Sequence, residues 1–229
     1  MEKSCYFSGM ANTKTEKIIN GLSKELVSVV EAKLRLLTSG TEDYITAWKK
    51  LQDEAVEEMI KVLERELPES VISSPTSKST YPDVKISNEE GTFAIDIKAN
   101  ESSKDPWFDM ARLDTMMDER LGKYIEEWEM VLKYDSSNGK FICCYFNLFR
   151  EVVGIREECK GIKYRPYDGK VRPKSWADFT NNKIYWTSKE KFIEGIEKSL
   201  KHRWKENIKA HLIPKLDEVE RSEFKKLFD

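Results

Sequence analysis

The sequence predicts an α/β chain, and three observations carry that prediction. Apolar residues recur at the helical period over the first third, a strand-like segment alternates strictly near residue 95, and a continuous apolar run occupies 140–149. From Thr13 to Leu37 the residues Ile18, Ile19, Leu22, Leu26, Val29, Val30, Leu34 and Leu37 return every three or four positions, which predicts one long helix. "TSGT" at 38–41 breaks it, and a second helix is expected from about Asp43 to Leu67, closed by Pro68. Its stripe is Trp48, Leu51, Ala55, Met59, Val62 and Leu63.

A loop follows, with room for a short strand at Val71 and Ile72. Two strands are then expected around Asp83–Ile86 and Thr92–Ala99, joined by the hairpin-sized "SNEEG". In the second, Phe93, Ile95 and Ile97 alternate with Ala94, Asp96 and Lys98, so one face is apolar and the other carries an acid and a base. Residues 107–132 read as helical, and "KFICCYFNLF" (140–149) reads as a strand in the buried middle of a sheet. "EVVGI" reads as a following strand, and 160–186 mixes basic and aromatic residues without a period. Thr187 and Glu190 fit a capping box for a helix with Phe192, Ile196, Leu200 and Trp204 on its apolar face, and Pro214 separates a last helix ending near Phe228.

Composition narrows the function. The 229 residues suffice for a core without staples and carry no obvious linker, so a single domain over 1–229 is expected. Within it fall N-terminal helices at 13–67, a strand-bearing core at 70–158, a loop region mixing basic and aromatic residues at 160–186 and C-terminal helices at 188–228. No stretch approaches the roughly 18 apolar residues of a membrane span, and the first residues lack a signal-peptide core, so a soluble, cytoplasmic protein is expected. Cys5, Cys143, Cys144 and Cys159 have no C-x-x-C spacing and read as reduced thiols. Two histidines, His202 and His211, argue against a zinc site or a histidine-based triad. With 39 basic and 41 acidic side chains, a nucleic-acid partner would have to be held by a local basic surface.

Asp83, Asp96 and Lys98 are the constellation with chemistry in it. Alternation puts Asp96 and Lys98 on one face, beside Asp83 on the neighbouring strand. Carboxylates held close repel one another and call for a cation; Mg²⁺ takes oxygen ligands and commonly uses one or two carboxylates with substrate phosphate and water. Lys98 would stand as a compact positive charge beside an attacked phosphate.

"PD" at 82–83 followed by "DIK" at 96–98 resembles the PD-(D/E)XK nuclease motif, and "YPDVKI…FAIDIKAN" is similar to the corresponding segment of blunt-cutting type II restriction endonucleases. The resemblance implies a restriction-endonuclease-like fold, a central mixed β-sheet flanked by helices. It further implies a homodimer acting on double-stranded DNA at a short palindrome, Mg²⁺ as cofactor with Mn²⁺ as substitute, and 5′-phosphate ends. By it Asp83 and Asp96 become metal ligands, the backbone carbonyl of Ile97 adds another, and Lys98 becomes the catalytic lysine. A helix glutamate is also implied. Glu54 has the matching spacing and is preferred, while Glu58 lies nearer the edge of the apolar stripe. DNA contacts are expected from Lys163, Arg165, Lys170, Arg172, Lys174, Asn181 and Asn182, and from Asn100, Ser102, Ser103 and Lys104 just after the catalytic strand. Two alternatives share these residues: a structure-selective or repair nuclease, and a non-catalytic DNA-binding domain whose acids are merely solvated.

Overall fold

The computed structural model describes residues 13–38, 44–75, 81–101, 106, 108–135, 137–173, 175–180, 184–215 and 220. In chain order the helices are α1 (Lys14–Gly21), α2 (Ser23–Leu37), α3 (Tyr44–Glu66), α4 (Phe149–Val152), α5 (Trp176–Thr180) and α6 (Lys189–Asn207). The strands are β1 (Val71–Ser73), β2 (Val84–Asn88), β3 (Gly91–Glu101), β4 (Ala111–Arg112), β5 (Glu127–Asp135), β6 (Lys140–Leu148), β7 (Ile155–Arg156), β8 (Gly161–Ile162) and β9 (Lys170–Val171). They fall into two compact units, one from Met1–Ser103 and Lys123–Leu148, the other from Lys104–Gly122 and Phe149–Asp229.

The first unit is a five-stranded mixed sheet, in the order β1-β2-β3-β5-β6, flanked by helices. The pairs β1/β2, β2/β3 and β5/β6 are antiparallel, and β3/β5 is parallel. One sheet face is the core. Phe93, Ile95 and Ile97 of β3, with Trp128, Met130 and Leu132 of β5, pack beneath Leu26, Val30 and Leu34 of α2 and Leu51, Ala55 and Met59 of α3. Trp128 Nε1 donates to Asn20 Oδ1 of α1 at 2.8 Å, which keeps the indole's polar end satisfied on that face. β2 and β3 turn through Glu89 and Glu90, and Gly91 there has φ +130°, a conformation that an L side chain rarely adopts.

The second unit holds the two small sheets β4/β9 and β7/β8, and the long helix α6. Ser188 caps α6 by accepting from the Lys191 N–H at 3.3 Å, one residue after the Thr187 that the capping-box pattern suggested. Phe192 and Ile196 are fully buried, as their spacing predicted, whereas Trp204 is mostly exposed. Among the described residues no helix is long and apolar enough to cross a membrane.

Several elements differ from the expected ones. The single helix over 13–37 is two, broken at Leu22. The helix expected over 107–132 is not formed: a π-helical turn occupies Met117–Leu121, and Glu127–Asp135 is β5. There the alternation Glu127, Trp128, Glu129, Met130 wins, because every second residue joins the core. The run 140–148 is a strand, but it stands at the end of the sheet order, and its buried residues alternate with more exposed ones except across a bulge at Ile142. Ile142 is partly exposed accordingly. "EVVGI" is divided between the short α4 and β7.

Candidate active site

The site grows from the place where β2 ends. Val84 is the last β2 residue paired to β3, opposite Ile95. Pro82, two residues upstream, has no N–H with which to continue the ladder. Two residues further along β3, side chains take over: Asp83 Oδ2 accepts from the Ile97 N–H at 2.6 Å, and Gln52 Nε2 of α3 donates to the Ile97 carbonyl at 2.6 Å. The polar groups of one peptide position, which water or strand pairing would otherwise satisfy, are thereby held by the "PD" aspartate and a helix amide.

Asp96 precedes Ile97 and points from the opposite face, with only 3% of its surface exposed. The Asp96 carboxyl stands close enough to Asp83 for its charge to act on it directly. Burial, then the Asp96 charge, push Asp83 up to about 7, against the pull of the Ile97 N–H. Lys98 Nζ lies 2.8 Å from Asp96 Oδ2 but off its hydrogen-bonding direction, so that buried oxygen has no aligned donor. Burial works against the Lys98 charge, yet Asp96, Glu129 and Asp83 outweigh it and hold the ammonium above the usual lysine range.

Glu129 is the member that the sequence reading missed. The parallel register sets it beside Asp96 on β5, and it is fully buried. Asn147 of β6 continues the row on the other side of Glu129, with its Oδ1 buried and without a hydrogen-bond partner. The signal was present as the period-two Glu127, Glu129 pattern, hidden by reading that segment as helix.

Asp83, Asp96 and Lys98 are thus brought together, and the Ile97 carbonyl is beside them. The expected helix glutamate is not the α3 side chain that reaches β3. Glu54 pairs with Lys33 of α2 at 3.2 Å, and Glu58 with Lys61 at 2.7 Å and Lys33 at 3.9 Å; Gln52 makes the reach instead. On a helix, residues 52 and 54 differ by about 200°, so they cannot serve one direction. Asn100, at the end of β3, donates to the Glu101 carbonyl at 3.1 Å.

A divalent cation fits this oxygen set. Asp83, whose charge is disfavoured by burial and by Asp96, and Asp96, with a buried oxygen lacking an aligned donor, would both be relieved by a hard dication between them. Among the described residues no cluster of three or more His, Cys, Asp and Glu groups could hold a metal ion. Two carboxyls are what Mg²⁺ commonly takes from a protein when substrate oxygens and water complete its shell.

In the second unit, the expected DNA-contacting residues are held by acids. Arg165 forms an ion pair with Asp168, whose carboxyl it holds down at about 2, and its guanidinium lies 4.5 Å from the Tyr167 ring centroid. Lys170 and Arg172 both pair with Asp109, Arg172 at 2.8 Å. The Lys163 backbone N–H bonds to Gly154 O at 2.7 Å. Ser102, Ser103, Lys104, Lys174, Asn181 and Asn182 lie outside the described residues.

No family profile matches the chain, and no curated protein matches it. Among solved structures, NlaIV restriction endonuclease aligns with a TM-score of 0.47 and 16% identity, covering 90% of this chain and 92% of that one.

Proposed function

We propose that the protein is a Mg²⁺-dependent nuclease of the PD-(D/E)XK type that hydrolyses phosphodiester bonds in double-stranded DNA, specifically a type II restriction endonuclease. The observation that carries this reading is the meeting of Asp83, Asp96 and Lys98 at the β2/β3 hairpin: Asp83 accepts the N–H of Ile97, between Asp96 and Lys98, and the Lys98 ammonium lies 2.8 Å from Asp96.

Asp83 and Asp96 would hold the cation, with the second lone pair of the Ile97 carbonyl available beside them. Mg²⁺, or Mn²⁺ in its place, supplies Lewis acidity toward the phosphate and a low-pKa water when bound. With Asp83 pushed up to about 7, any proton it carries must leave before it serves as a ligand, which couples cation binding to proton release. Lys98 is kept charged by its acidic neighbours, so its part is to hold the attacked phosphate and offset the charge that develops on it. Asp96 and Glu129 fix that ammonium from two adjacent strands.

Lys163, Arg165, Lys170 and Arg172 are the proposed phosphate and base contacts, Lys170 and Arg172 exchanging Asp109 for DNA on binding. A homodimer on a palindrome, cutting to leave 5′-phosphates, completes the reading. Incubation with Mg²⁺ and a long DNA of mixed sequence tests it: discrete, reproducible fragments with 5′-phosphate ends are expected, and a smear or uncut DNA contradicts it.

A further inference from the structure

The edge of β3 beside the site is held from α3 by a neutral amide. Gln52 follows Leu51, a core residue, and its Nε2 donates to Ile97 O at 2.6 Å. In a strand the N–H and C=O of one residue point to the same side, so Gln52 and Asp83 grip Ile97 from the side that β2 has vacated. The peptide planes flanking Ile97 also carry the Cα atoms of Asp96 and Lys98. Rotation of either plane would swing the Asp96 carboxyl away from Asp83, or the Lys98 ammonium away from Asp96.

We propose that Gln52 is a positioning residue of this site: by holding the Ile97 carbonyl it sets the aim of Asp96 and Lys98, and it does from α3 what was sought in a glutamate. The proposal rests on the nuclease reading for its consequence in cleavage, but not for its consequence in cation binding. A neutral amide adds no third negative charge beside Asp83 and Asp96, and its donor side faces the carbonyl. The carbonyl keeps one lone pair, turned to a direction that Gln52 determines.

The test uses Gln52→Met, close in length without a donor, and Gln52→Glu, the same size with an acceptor facing an acceptor. Mg²⁺ affinity is read by calorimetry without DNA, and kcat and KM are read on cleaved DNA. Loss of an orienting partner around a metal site costs about tenfold or more in affinity or activity. The expected result is therefore weaker Mg²⁺ binding and lower kcat by about tenfold in both variants, with the KM for DNA within about twofold of wild type. Unchanged thermal unfolding and circular dichroism identify the folded variants, and Gln52→Glu decides if Gln52→Met does not fold. Variants that match wild type within about twofold in Mg²⁺ affinity and kcat overturn the positioning role and leave the nuclease reading intact. So does a Glu54→Gln variant that loses Mg²⁺ binding while Gln52→Met keeps it. A wild-type protein that binds no Mg²⁺ and cleaves no DNA overturns the nuclease reading and the positioning role together; one that binds Mg²⁺ without cleaving leaves the calorimetry to decide Gln52.

Discussion

Asp83 accepts the backbone N–H of Ile97 at 2.6 Å while burial and the nearby Asp96 charge disfavour its own ionised form. One aspartate thus ends the pairing of β2 with β3 and brings a second acid against itself. Buried acids so close repel, and the Lys98 ammonium 2.8 Å from Asp96 offsets only part of that, which is the site's chief physical clue.

The first prediction concerns pH. Asp83 has a folded-state pKa raised to about 7, so the folded protein keeps a proton that the unfolded chain loses near pH 4. Stability is therefore highest below about pH 4 with respect to this group, falls as pH climbs toward about 7, and levels off above it, by at most about 4 kcal/mol. Thermal unfolding at pH 5 and pH 8 should show the decline. Asp83→Asn should flatten it, and Mg²⁺ should restore stability at pH 8 in wild type but not in the variant.

Lys98→Ala should retain DNA binding in Ca²⁺ and lose cleavage in Mg²⁺ by about a hundredfold or more, the usual loss when a charge-stabilising donor is removed. Filter binding and single-turnover cleavage, measured on one preparation, separate the two effects. Cleavage retained by the alanine variant would remove Lys98 from the chemistry.

Glu129→Gln should leave the sheet intact but weaken the hold on the Lys98 ammonium, since Glu129 stands beside Asp96 and raises the lysine's pKa. The alkaline limb of the pH–rate profile should move to lower pH. An unmoved limb would mean that Glu129 serves packing alone.

Gly91→Ala tests the hairpin that carries both aspartates. A β-carbon there would lie 2.5 Å from Ile125 Cδ1, on a backbone at φ +130°. Strain of that backbone alone costs about 1–3 kcal/mol, so a lowered unfolding midpoint is expected, with cleavage lost in step with the fold.

In the second unit, Lys170→Ala should weaken DNA binding without regard to sequence and reduce the slope of log affinity against log salt by about 0.9, the signature of one lost phosphate contact. An unchanged slope would place Lys170 with Asp109 as a structural pair.

The sequence made the core of the site legible because its signals are local. Alternation in "FAIDIK" faced Asp96 and Lys98 together, and a hairpin-length gap returned Asp83 to them. Gln52 was not legible in this way. Its partner lies 45 residues away, and an amide beside a stripe of apolar residues looks like any solvated helix position. Glu129 was lost for a different reason: residues 107–132 satisfy a helical spacing loosely, and only pairing with β3 makes the period of two prevail. The run at 140–148 was equally misleading in its position, since an apolar strand at the sheet's end reads like a central one when its aromatic and sulfur-bearing residues span both faces.

The most direct test compares wild type with Asp96→Asn on a long DNA of mixed sequence in Mg²⁺, because Asp96 touches both Asp83 and Lys98. A fixed set of fragments is expected from wild type and intact DNA from the variant; intact DNA from both, or the same fragments from both, would contradict a nuclease centred on Asp96.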